Sequence, residues 1–115
     1  MTTEASTAAE PTAAREHFGK TAPKFAEVTD LVLFGDVWAR PGLSPRDRSI
    51  VTVSALIAMF RPDELTFHLG RALDNGVTWD ELVELVTHLA FYAGWPCAHT
   101  AVVALEKVRQ ERGLP

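Results

Sequence analysis

Recurring capping residues and prolines mark helix boundaries along this chain, and that punctuation constrains the fold more than any other feature. Ser44-Pro45-Arg46-Asp47 sets a capping hydroxyl before a first-turn proline, with an acid three residues on. The apolar spacing of Ile50, Val53 and Ile57 then predicts a helix to about residue 60. Arg61-Pro62 opens the next helix. It should end at Asn75-Gly76, because glycine takes the left-handed position past a helix end at no steric cost. Thr78 and Glu81 form a capping box for a helix reaching about residue 93, closed by Gly94. Trp95-Pro96 begins a last helix that runs to about residue 112 and stops at Gly113. Upstream, Phe18, Phe25, Val28, Leu31 and Val32 keep helical spacing. Pro23 separates two short helices there and Pro41-Gly42 breaks the run. No stretch alternates with period two between hairpin turns, so the expectation is an all-α fold, a compact helical domain of five to six helices.

At 115 residues the chain is read as one domain over 13–115, behind a flexible, small-residue tail over 1–12. Its start lacks the basic and apolar regions of a secretory signal. The longest apolar stretch, residues 82–94, is interrupted by Glu84 and His88 and is too short to span a bilayer. A net charge of -4 with scattered basic residues argues against nucleic acid and against a membrane surface. Cys97 stands alone, which excludes an internal disulfide or a cysteine-built zinc site. These features point to a cytoplasmic protein. The helix from residue 78 carries apolar side chains on nearly every face, so it should be buried all round, in part against another subunit.

Chemistry can be sought at four places. Glu64 and His68 are four residues apart and share a helix face; a carboxylate there can fix the imidazole tautomer and raise its pKa, giving a general acid near neutral pH. The same spacing also describes an ordinary surface pair. Arg46 and Arg48 occupy a first turn, where the helix dipole disfavours cations unless an anion is bound, and Arg61 could join them in clamping a carboxylate. The alternative for each is a solvated basic turn. Cys97, second in its helix, could be a stabilised thiolate, a pocket-lining residue or a small buried hydrophobe. His99 points away from it by about 200°. His88 follows Glu84 by four and suits an interface hydrogen bond, whereas His17 carries no functional expectation. His68, His88 and His99 match no known ligand spacing, so no metal is expected.

Residues 43–58 (LSPRDRSIVTVSALIA), 61–82 (RPDELTFHLGRALDNGVTWDEL) and 88–102 (HLAFYAGWPCAHTAV) resemble the carboxymuconolactone decarboxylase family. The resemblance implies an all-helical domain assembling into a homo-oligomer, a trimer or hexamer. One branch of the family decarboxylates a carboxylated lactone in aromatic degradation without a metal. The other, the alkylhydroperoxidase D-like branch, uses C-x-x-C-x-x-x-H with an upstream glutamate. His68 falls on that motif histidine, but Arg61 and Glu64 stand at its cysteines and Ser49 near its glutamate, so a dithiol peroxidase is not expected. The decarboxylase pattern fits Leu43 to Ser49, then His68, Ala72 and Gly76. Tyr92 to Pro96 is similar to further relatives in which Asn-Ala usually follows; here Cys97-Ala98-His99 follows instead.

The resemblance therefore implies a cofactorless carboxy-lyase acting on a small carboxylate-bearing lactone or enolisable acid. His68 and Glu64 would be catalytic. Arg46, Arg48, Arg61, Tyr92, Trp95, Cys97 and His99 would bind the substrate. Two alternatives stay open: an isomerase, cyclase or dehydratase using the same pocket, and a non-enzymatic oligomer that binds a small acid.

Overall fold

Proline at the first helical position recurs at Pro23, Pro45 and Pro62, where the missing N–H would have had no intrahelical partner. The computed structural model describes residues 10–115, so the tail expected over 1–12 lies outside the described residues as far as residue 9. Among the described residues there are six α-helices and no strand, as the punctuation predicts. They fall into two compact units that part after Gly42, at the Pro41-Gly42 break.

The first unit holds α1 (Ala13–Phe18) and α2 (Pro23–Val28). The chain then widens into a π-helical turn, Thr29–Phe34, before a 3₁₀ turn, Val37–Ala39. The wide turn carries the buried Asp30, whose carboxylate accepts from the backbone N–H groups of Ala14 and Arg15, both at 2.9 Å. Asp30 thereby caps α1 from a distance. Thr12, the residue at the start of α1, instead donates its hydroxyl to Glu16 at 2.7 Å.

The second unit packs α3 (Pro45–Ala58), α4 (Pro62–Asp74), α5 (Trp79–Leu89) and α6 (Trp95–Glu111) around one apolar core. Ser44 Oγ accepts from Asp47 N at 3.1 Å. Thr78 Oγ1 accepts from Glu81 N at 3.1 Å while Glu81 Oε1 accepts from Thr78 N at 2.9 Å, the reciprocal capping box. Gly76 has φ 101°, the conformation expected of it past the end of α4. Asn75 Nδ2 donates to the buried Ser49 Oγ at 3.0 Å, which joins the end of α4 to the start of α3 and makes the two antiparallel. Val53, Ile57, Leu65, Leu69, Ala72, Leu82 and Ala101 are the most buried apolar side chains of this core.

One boundary differs from the expectation. α5 stops at Leu89, and residues 90–93 form tight turns in which Phe91 N donates to His88 O (3.2 Å) and Tyr92 N to Leu89 O (3.0 Å). Gly94, at φ 100°, then redirects the chain into α6. Phe91 and Tyr92 consequently leave the helix and are 77% and 78% exposed, so α5 is amphipathic, burying Leu82 and Val86 and exposing Val83. Among the described residues no helix is long and apolar enough to cross a membrane.

Candidate active site

The face of α4 that meets the core is set by Leu65, Leu69 and Ala72. At about 100° per residue, Asn75 lies about 20° from His68 around the helix, Glu64 about 40° and Arg71 about 60°. Because Asn75 bonds Ser49, this strip of Glu64, His68, Arg71 and Asn75 runs along the flank of α4 next to α3. His68 and Arg71 are half-buried, as is Arg48 on α3. His68 Nδ1 and the Nε atoms of Arg48 and Arg71 are withdrawn from solvent. The Phe67 ring meets His68 edge-on, with centroids 5.0 Å apart.

The electrostatics of His68 correct one expectation. Burial holds its pKa below the usual histidine value, and the Arg71 charge lowers it further. Glu64 pulls upward, as the spacing suggested, but is outweighed. The ring is therefore neutral at pH 7, not a ready imidazolium. Arg71 did not figure among the sequence candidates. The signal that would have found it is its position three residues after His68, close enough on a helix for the two side chains to interact.

The three arginines anticipated from sequence are placed differently from one another. Arg46 pairs with the Glu81 carboxylate and, at 3.4 Å, with Asp47, tying the start of α3 to the start of α5. Glu81 has its pKa lowered first by the backbone N–H of Thr78 and then by this guanidinium. Arg61 donates to Met59 O at 3.1 Å and closes the α3–α4 connection, where Phe60 has φ 57°. Arg48 lies beside Ser49, hence at the Asn75 end of the strip. Seven residues at a 1.5 Å rise put that level about 10 Å along the axis from His68.

Tyr92, Trp95, Cys97 and His99 lie elsewhere, and only Trp95 and His99 share a cavity. Trp95 and His99 line a hollow of about 200 Å³ between α5 and α6, with Val86, Thr87, Ala98 and Val102. Tyr92 stacks on His88 with centroids 4.9 Å apart, and Trp95 meets Phe91 edge-on at 6.1 Å. Cys97 is half-buried against the core. His68 lines none of the described cavities directly. It borders, through Phe67 and Arg71, a cleft of about 270 Å³ between α4 and α6. There Arg112 donates to Asp74 at 3.0 and 3.2 Å and to Gly70 O at 3.0 Å. Among the described residues no three His, Cys, Asp or Glu side chains converge as a metal site.

Residues 23–107 match the family model described as the carboxymuconolactone decarboxylase family. Over 81 residues the chain is 46% identical to a protein named 4-carboxymuconolactone decarboxylase from Acinetobacter baylyi, covering 70% of this chain and 60% of that one. Over 74 residues it is 39% identical to a nitrosuccinic acid decarboxylase from Metarhizium robertsii, covering 64% of this chain and 52% of that one. The chain thus spans little more than half the length of these relatives.

Proposed function

The chain belongs to the carboxymuconolactone decarboxylase family, and from that premise we propose that it is a carboxy-lyase for a small carboxylate-bearing substrate, with His68 at the centre of its site. The observation that carries this reading is a half-buried, neutral imidazole on α4, within the segment that aligns with two proteins named as decarboxylases. Both names denote acids that carry an electron-withdrawing group, a lactone carbonyl or a nitro group.

When carbon dioxide leaves such an acid, the electrons of the broken C–C bond pass into the acceptor group. Catalysis then requires stabilising that developing negative charge and returning a proton to carbon. A neutral imidazole suits the first task, because its one N–H can donate to a forming enolate oxygen in a partly dry setting. His68 also relays the proton, and Glu64 orients its ring. The substrate's own carbonyl is the electron sink, so the chemistry calls on no cofactor. In this reading the protein works as a homo-oligomer, a trimer or hexamer. The apolar side chains left exposed at Val83, Phe91, Trp95 and Val103 support it.

The test is turnover of 4-carboxymuconolactone by the wild type and by His68→Ala, with product mass recorded. Decarboxylation removes carbon dioxide, whereas isomerisation leaves the mass unchanged. Loss of an oxyanion donor or proton relay lowers kcat about 100- to 1,000-fold. Equal rates for the two proteins would remove His68 from the mechanism.

A further inference from the structure

We propose that the α5–α6 hairpin is a two-fold contact surface: a second copy of this chain packs on it, and the Phe91 ring of each copy enters the hollow of the other. The inference rests on the homo-oligomer reading above and adds to it the face, the symmetry and the anchoring side chain. Charge is the first argument. Residues 85–105 contain no Lys, Arg, Asp or Glu, although the chain as a whole carries a net charge of -4. A two-fold contact presents the same patch from both copies, so charges of one sign would oppose each other across it. This stretch is free of that penalty. The same lack of basic residues leaves it nothing with which to meet an anionic lipid surface.

Shape is the second argument. The turns after Leu89 carry Phe91 and Tyr92 out of α5, and the Phe91 ring stands edge-on to Trp95 with centroids 6.1 Å apart. Beside this corner lies the hollow of about 200 Å³, with Val86, Ala90, Ala98 and Val102 among its lining. An apolar cavity of about 150 Å³ accepts benzene, so a phenyl ring fits this one. The Thr87 hydroxyl at its wall already donates to Val83 O at 2.9 Å and asks for no partner. Trp95 belongs both to the corner and to the wall of the hollow, so knob and socket are neighbours on one patch. A head-to-tail contact joins two different patches. A half-turn joins one patch to itself, and each copy then gives a ring and receives one.

Area is the third. Phe91, Tyr92 and Trp95 are each more than two-thirds exposed, and at about 150–250 Å² per aromatic side chain they offer about 350–550 Å². A stable interface takes about 800 Å² from each partner. The aromatic corner supplies about half of that, and the exposed Val83, Val102 and Val103 extend it along both helices. An aromatic centre depleted of charge is also the composition that interface cores favour.

Of the two assemblies expected, a hexamer made of two trimers contains two-fold axes and a trimer contains none. Light scattering on the purified chain should therefore give six copies. Phe91→Glu places like charges in both sockets and should halve that mass, with the far-UV circular dichroism spectrum unchanged. Val102→Glu, at the lip of the hollow, should do the same. Phe91→Ser removes the ring without adding charge and should raise the dissociation constant about 30-fold or more, as loss of an anchoring aromatic does. If Phe91→Glu does not fold, Phe91→Ser decides. A wild-type trimer, or a hexamer that Phe91→Glu leaves intact or breaks into dimers, overturns the two-fold contact while the oligomer stands. A wild-type mass of 12.6 kDa overturns both and leaves the hairpin to a different partner.

Discussion

Gly70→Ala should change sign according to what stands at position 112. Gly70 is buried within α4, and the three atoms nearest to a Cβ added to it would all belong to Arg112: Nη2 at 3.0 Å, and Cζ and Nε at 3.7 Å. The same Nη2 donates to Gly70 O at 3.0 Å and to Asp74 at 3.2 Å. Alanine in a helix interior is worth about 0.8–1.0 kcal/mol over glycine. In the wild type that gain is offset by displacing the guanidinium, which costs the Gly70 O bond, about 0.5–1.5 kcal/mol. The exposed Asp74 pair adds at most about 1 kcal/mol after solvent screening. The net effect is near zero or destabilising. In an Arg112→Ala background the obstacle is gone, and Gly70→Ala should stabilise by about the full 0.8–1.0 kcal/mol. Urea unfolding of the four proteins of this cycle, followed by far-UV circular dichroism, measures the coupling as a difference of differences. The expected coupling is about 1 kcal/mol. Additivity within about 0.3 kcal/mol would refute the claim that Arg112 is what keeps position 70 a glycine.

Two further outcomes are expected. Because the folded-state pKa of His68 lies below its ordinary value, the unfolded chain takes up a proton that the folded one refuses, so stability falls as pH is lowered through about 6.5. His68→Gln should flatten that part of the pH–stability curve, and an unchanged slope would mean that burial and Arg71 do not set the titration. In dilute solution, light scattering should give the mass of a trimer or hexamer. A mass of 12.6 kDa, that of one chain, would sink the oligomer.

Local chemistry was readable from the sequence wherever a boundary is decided by one residue's own geometry. Ser44, Thr78 and Glu81 cap as their side chains dictate, and Gly76 and Gly113 take positive φ at helix ends, so α3, α4 and α6 run nearly as the punctuation implies. The end of α5 was not readable, because Ala90 to Ala93 contain nothing that forbids a helix; the turn there is imposed by the need to start α6 at Gly94 against the core. Asp30 as a remote cap was hidden for the same reason: it acts sixteen residues back in the chain. The site divides along the same line. Helical spacing brought His68 and Glu64 together, but spacing carries no information on burial, and burial decides the sign of the shift at His68. Arg46 looked like a carboxylate clamp because its first-turn position is unfavourable for a cation; the fold brings it the Glu81 carboxylate, which answers that electrostatic need from within the chain. A cation already answered by the protein's own acid gains little by exchanging it for a substrate carboxylate, so burial and pairing, which spacing does not report, decide which of the candidate arginines can serve as a clamp.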